Sequence, residues 1–170
     1  KSTVALSKNV NMDFYQNHAS ISKDGNTLFF TSEDPRGNGG LDIYKSTKDS
    51  NGDWGVPENL GKTINTAFDE DAPFLSDDGQ TLYFSSKGHT NMGGYDVFRS
   101  SVLKNDYSPA LNLGTDLNSR RDDVAFIMTS PTKGYISTDK HQQGNFDIFK
   151  FEIKKQDNLS QTYTVVEEKS

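Results

Sequence analysis

The sequence has 170 residues, of which 32% are hydrophobic and 11% aromatic, with no cysteine and a formal net charge of −6. The lack of cysteine excludes thiol catalysis, disulfides and cysteine-based zinc sites. The acidic balance argues against nucleic acid as a partner, and no apolar run approaches the ~20 residues that a membrane helix needs.

An internal repeat organises the chain. The segments 17–46 and 71–100 align at an offset of 54, with 11 of 30 positions identical. A third, more divergent copy spans 123–149 and keeps Phe126, Tyr135, Ser137 and Asp147. The linkers after the first two copies repeat as well, as 59–65 and 112–118, and residues 6–11 echo them near the N-terminus. A repeat of this length is typical of arrays of one structural unit.

Within one unit, β-branched and aromatic residues alternate with polar ones between strong turn signals. Asp24-Gly25 predicts a two-residue hairpin turn with positive φ values, and Asn51-Gly52 predicts a second hairpin. The predicted strands, in chain order, are Ala19–Ser22, Thr27–Ser32, Leu41–Thr47 and a last strand over 56–60.

Four antiparallel strands in about 54 residues, repeated in tandem, predict an all-β fold of β-propeller blades. We expect about three blades that form part of a larger propeller, because known rings contain four to eight. Val4–Leu6 is predicted to be an outer strand and Thr162–Val166 an exit strand. The predicted divisions are 1–11 (outer strand of a preceding blade), 12–65 (blade 1), 66–118 (blade 2), 119–153 (a partial blade 3) and 154–170 (polar linker and exit strand).

The motifs resemble those of a known repeat. The pattern S-x-D-G-x-T-L-[FY]-F-[TS]-S, followed by G-G-x-D-[IV]-[YF], occurs at 22–44 and again at 76–98, and W-x-x-P-x-N-L-G occurs at 54–61. It is similar to the TolB-like (WD-like) propeller repeat, especially in OmpA-family, PorE-like cell-envelope proteins of Bacteroidetes. That resemblance implies a periplasmic, outer-membrane-associated location and protein partners in the envelope, as in type IX secretion or gliding machinery. Peptidoglycan contact would require an OmpA-like domain that is not in this sequence.

Several recurring residues are predicted to be structural. Asp-Gly pairs are required by tight turns, and the aspartate after each Gly-rich loop is expected to accept backbone N–H bonds from that loop. Paired glycines allow close backbone approach, and Trp54 is expected to pack in the core. This predicted structural set comprises Asp24, Gly25, Gly40, Asp42, Trp54, Gly79, Gly94, Asp96 and Asp147.

The Gly-rich loops and the loops between units are expected to share one rim, where they would bind a partner. We interpret the acidic runs there as a solvated rim, with a calcium site as the alternative, although no calcium-loop pattern is present. The histidines lack metal-ligand spacing, and no cofactor is expected. The candidate rim residues are Arg36, Asn38, Asp69, Glu70, Asp71, His89, Asn91, Met92, Arg120, Arg121, Asp122, His141 and Gln142.

The sequence thus predicts a non-enzymatic scaffold that mediates protein–protein interaction. The alternative is a glycan-binding or glycan-cleaving propeller enzyme, which would need two carboxylates about 5–10 Å apart in a cleft. Because one fold can host many activities, the choice depends on the geometry of the site.

Overall fold

The computed structural model describes residues 2–156 and 160–166, which are built from twelve β-strands without a helix. The strands are β1 (Gln16–Ile21), β2 (Thr27–Ser32), β3 (Asp42–Thr47), β4 (Glu58–Asn59), β5 (Glu70–Leu75), β6 (Thr81–Ser86), β7 (Asp96–Ser101), β8 (Leu111–Asn112), β9 (Asp123–Ser130), β10 (Lys133–Gln142), β11 (Asn145–Gln156) and β12 (Ser160–Val166). In the described part of the chain, no helix has the length and apolar character needed to cross a membrane.

The strands form three four-stranded antiparallel sheets in simple sequence order: β1–β4, β5–β8 and β9–β12. The predicted all-β fold of blade-like units is therefore confirmed. Corresponding strand pairs keep the same register, since Phe30 pairs with Tyr44 in the first sheet as Phe84 pairs with Phe98 in the second.

Each sheet packs face to face against the next sheet along the chain. We call the side of a sheet that meets the next sheet its forward face and the other side its back face. Phe29 and Ile43 on the forward face of the first sheet share a core with Leu82 and Phe84 on the back face of the second. Tyr83 and Val97 share the next core with Phe126, Ile136 and Phe151. Among the described residues, no strand of the first sheet contacts a strand of the third, so the three sheets form an open arc.

The two ends of the sheets carry different connections. One end, the loop end, carries residues 33–41 and 87–95, the inter-sheet loops 66–69 and 119–122, and the β10–β11 turn. The other end, the hairpin end, carries the β1–β2, β3–β4, β5–β6, β7–β8 and β9–β10 turns. This arrangement agrees with the expectation from the sequence that the Gly-rich loops and the inter-sheet loops share one rim.

The Asp-Gly turns differ in detail from the prediction. The Ser22 N–H donates to the Thr27 carbonyl at 2.8 Å, which closes a four-residue loop rather than a two-residue one. Only the glycine has positive φ, +73° at Gly25. The Asp24 carboxylate instead accepts the Ser22 hydroxyl and the Asn26 N–H, and these hydrogen bonds hold the pKa of Asp24 below its ordinary value. Asp78 makes the same bonds before Gly79.

The ends of the chain also differ from expectation. Ser160–Val166 pairs with β11 as the fourth strand of the third sheet, so Thr162–Val166 is not an exit strand and the third unit is not partial. The run is rich in β-branched residues, and the edge of β11 is the nearest strand with which it can pair. Val4–Leu6 belongs to no strand. Residues 157–159 and 167–170 of the expected linker lie outside the described residues.

Candidate functional site

The loop end is the candidate site because most of the predicted rim residues lie there. Its loops are held together because the first and second sheets are each hydrogen-bonded to the inter-sheet loop that follows. The Gly40 N–H donates to the Phe68 carbonyl at 3.2 Å, and the Glu70 N–H donates to the Leu41 carbonyl at 2.7 Å. The second and third sheets repeat both bonds, from Gly94 to Arg121 and from Asp123 to Tyr95.

The paired glycines allow the backbone of the inter-sheet loop to approach this closely. A Cβ on Gly93 would collide with the backbone of Arg120 and Arg121, and one on Gly94 with the Asp122 carboxylate. The Asp122 carboxylate accepts the Tyr95 N–H at 2.8 Å, and Asp69 accepts the Leu41 N–H at 3.1 Å. The paired glycines therefore leave room for an aspartate of the following inter-sheet loop.

The interpretation of the acidic runs as a solvated rim is corrected by their burial. Glu70 and Asp123 are 0% exposed and Asp71 is 7% exposed. Glu70 accepts the Thr66 N–H at 2.6 Å and the Ser86 hydroxyl at 2.7 Å, while Asp123 accepts the Ser119 N–H. Burial raises the pKa of both carboxyls. These side chains satisfy loop backbone groups instead of facing water, because the inter-sheet loop folds back over the strand that it enters.

The aspartates after the Gly-rich loops are placed similarly. Asp42 accepts the Asn38 N–H and the Asn59 amide, and Asp96 accepts the Met92 N–H and the Asn112 amide. Asp147 does not share this role, since its side chain is exposed near the start of β11. In the third sheet the loop is replaced by a tight hairpin, and the buried Asp139 accepts the Gly144 N–H at 2.7 Å.

Two buried asparagines complete the framework, and in the sequence they are distinguished only as part of the linker repeat. The Asn65 side chain accepts the Ile43 N–H at 2.8 Å and donates to the Ile43 carbonyl at 3.0 Å. Asn118 makes the same two bonds with Val97. Each amide thus replaces one residue of a neighbouring strand. The recurrence of Asn six residues after Asn59 and Asn112 is the sequence signal that identifies them.

A cleft of about 570 Å³ opens at the loop end between the second and third sheets. Arg120, Arg121 and Lys140 supply positive charge, and Lys140 lies 3.7 Å from the Phe149 ring centroid. Asp122 and Asp139 line the same cleft, and the Asp122 N–H donates to Asp139 Oδ1 at 2.9 Å. Both carboxylates therefore already accept backbone hydrogen bonds.

His18 and His89 occupy different settings. His18 lies in a bulge of β1 with a φ of +40°, and its Nδ1 is 2.7 Å from Asp71 Oδ1 of the second sheet. His89 is half-buried against Phe84 and Phe98, with Nε2 2.9 Å from the Ile64 carbonyl. Across the described ranges, no group of three or more His, Cys, Asp or Glu side chains is arranged to hold a metal ion.

The remaining predicted rim residues vary in exposure. The Arg36 side chain is 75% exposed and ion-pairs with the buried Asp34. Asn38 donates to Asn59 at 3.0 Å and so links its loop to β4, while Asn91 donates to the Gly94 carbonyl at 3.0 Å within its own loop. Met92, Arg120, His141 and Gln142 are exposed.

Trp54 lies at the hairpin end, where Lys48 Nζ is 4.9 Å from its ring centroid.

Comparisons with known proteins give little. No family model and no curated protein matches this sequence. Among solved structures, the chain is similar to one from a structural and mechanistic study of two prolyl endopeptidases, with 11% identity and a TM-score of 0.44. The match covers 94% of this chain and 29% of that one.

Proposed function

We propose that this chain is a non-enzymatic scaffold that binds a protein partner through its loop end, in the bacterial cell envelope. The envelope location comes from the repeat resemblance. The observation that carries the proposal is the use of the carboxylates at the loop end. Glu70, Asp96, Asp122, Asp123 and Asp139 all accept backbone N–H groups.

This use of carboxylates favours a scaffold over a glycan-cleaving enzyme. Glycoside cleavage by a carboxylate pair needs one group to donate a proton and another to attack or activate water. Asp122 and Asp139, the carboxylates of the cleft, are instead fixed by the main chain.

The charge of the cleft defines the chemistry of the partner. The whole chain is acidic, yet Arg120, Arg121 and Lys140 converge on one opening. Arginine binds carboxylates through two parallel hydrogen bonds. An acidic segment of a partner protein therefore fits this cleft best, and the rigid loops reduce the entropy that binding would cost.

Photo-crosslinking in cells that produce the protein tests this proposal. A photoreactive residue at Arg120 is expected to capture a discrete protein, whereas the same residue at Lys104, exposed at the hairpin end, is not. Reversing the charge with Arg121→Glu is expected to abolish the crosslink, and Lys104→Glu is the matched control. Equal crosslinking from both ends, or a crosslink unaffected by Arg121→Glu, would contradict the proposal.

A further inference from the structure

Phe68 is an exposed aromatic side chain at the loop end. It lies in the inter-sheet loop 66–69 and is 60% exposed. Both sheets that flank this loop belong to the chain, so the exposure is a property of a complete interface between two sheets. The Phe68 N–H donates to the Thr66 hydroxyl at 3.1 Å, and its carbonyl accepts the Gly40 N–H at 3.2 Å. The backbone is therefore fixed, while most of the ring is left in contact with water.

Arg121 takes the same place in the next inter-sheet loop. Its N–H donates to the Ser119 hydroxyl at 3.1 Å, and its carbonyl accepts the Gly94 N–H at 3.2 Å. Because the same two backbone bonds hold Phe68 and Arg121, their side chains leave equivalent points of successive loops. Packed sheets lie about 10 Å apart, so we expect the two side chains to start roughly one such spacing apart.

A lysine and a tyrosine of the second sheet's Gly-rich loop connect these two inter-sheet loops. Lys87 Nζ lies 2.8 Å from Asp69 Oδ2 and 4.4 Å from the ring centroid of Tyr95. The Tyr95 N–H donates to the Asp122 carboxylate at 2.8 Å. The bond from Lys87 holds the pKa of Asp69 below its ordinary value, so this carboxylate is paired within the surface. We call this surface the loop-end band, and it comprises Phe68, Lys87, Tyr95 and Arg121.

The loop-end band combines an apolar position with cationic ones. Phe68 offers an aromatic ring at one side, and Arg121 lines the positively charged cleft at the other. Aromatic and arginine side chains are the usual anchors of protein interfaces. A purely acidic segment would leave the Phe68 ring uncovered, and a purely apolar one would leave the arginine charge unmatched. Charge complementarity and the exposed ring together favour a partner segment that carries both kinds of side chain.

We propose that the loop-end band binds an extended partner segment in which an apolar residue and an acidic residue are three positions apart. The inference rests on the proposed function, because the acidic residue is the one that enters the cleft at Arg121 while the apolar residue contacts Phe68. A polyproline II segment has three residues per turn and rises about 3.1 Å per residue, so residues three apart lie on one side, about 9 Å from each other. That distance matches one sheet spacing. In a β-strand, residues three apart point to opposite faces.

NMR titration of the purified chain with synthetic peptides tests the spacing. The probes are proline-rich peptides that carry one leucine and one glutamate, three or two positions apart and in both orders, and a peptide with the glutamate alone. In one of the two orders, the three-position peptide should bind about 10-fold more tightly than the two-position and glutamate-only peptides, because only its leucine leaves water on Phe68. The amide resonances of residues 66–69 and 119–122 should shift together on binding.

Two variants separate the apolar contact from the charge. Phe68→Ser should reduce the affinity of the three-position peptide to that of the glutamate-only peptide, and it keeps the backbone bonds of residue 68. Leu103→Ser is the matched control, since Leu103 is 52% exposed at the hairpin end, and it should leave every affinity unchanged. Arg121→Glu should abolish binding of all the peptides.

The outcomes distinguish this inference from the proposed function. Equal affinities for the two spacings, or an affinity that Phe68→Ser does not change, would overturn the inference and leave the acidic-segment proposal standing. If no peptide shifts the resonances of residues 119–122, both the inference and the proposed function are contradicted.

Discussion

Replacing Asn65 by alanine is expected to destabilise the protein by about 2–4 kcal/mol. Asn65 is 1% exposed, and its side-chain oxygen accepts the hydrogen bond that the Ile43 N–H donates at 2.8 Å. A buried donor left without a partner costs roughly 1–3 kcal/mol. The Ile43 carbonyl keeps its bond from Leu60, so the lost amide donor adds about 1 kcal/mol more.

Urea unfolding measures this effect. With an m-value of about 2 kcal/mol/M, the midpoint should fall by roughly 1–2 M. The repeat provides an internal replicate, because Asn118→Ala removes the same two bonds from Val97. Asn105→Ala, in an exposed turn, is the matched control and should change stability little.

Amide hydrogen exchange localises the effect. In the Asn65→Ala variant the Ile43 amide should lose protection while the Val97 amide keeps it, and Asn118→Ala should reverse this pattern. A stability loss no larger than that of Asn105→Ala, or unchanged protection at Ile43, would refute the idea that these side chains take the place of a strand.

Three further predictions concern the turns, a buried carboxylate and the paired glycines. Gly25→Val should cost about 1–3 kcal/mol in urea unfolding because a β-branched residue is strained at a φ of +73°; tolerance equal to that of Lys104→Val would contradict this. Burial raises the pKa of Glu70 in the folded state, so the native protein binds the proton more tightly and this residue lowers stability as pH rises above its ordinary value of 4.5. The stability of Glu70→Gln relative to the natural chain should therefore increase with pH over that window in parallel urea titrations, and a constant difference would disprove the assignment. Gly93→Ala should lower the thermal midpoint more than Gly94→Ala, because its Cβ meets backbone atoms, whereas that of Gly94 meets the Asp122 side chain, which can move at the cost of its hydrogen bond from the Tyr95 N–H; equal shifts would count against the steric account.

The repeat made much of the fold predictable from the sequence. Alternating apolar residues around Asp-Gly turns were sufficient to place strands such as Thr27–Ser32, which the structure reproduces with the same bounds. The placement of the loops at one end follows from strand direction alone. These features depend on local chemistry and therefore appear in a single sequence.

The details of the site depend on contacts between distant residues and were less predictable. Nothing near Glu70 in the sequence shows that the carboxylate folds inward to bind the Thr66 N–H and the Ser86 hydroxyl. Arg120 and Lys140 line one cleft only because the second and third sheets pack face to face. The fourth strand of the third sheet was missed because Thr162–Val166 follows a polar stretch and lacks the Asn-Leu-Gly linker that marks the end of the other units.

The open arc affects how the protein loses its structure. Since the first and third sheets share no strand contact in the described chain, each interacts only with the second. Stability in such a linear array is the sum of the intrinsic term of each sheet and the coupling between neighbours. The end sheets, with one neighbour each, are therefore coupled less strongly than the middle sheet and can unravel independently. Closing the array would give every sheet two neighbours, and unfolding would become a more cooperative event.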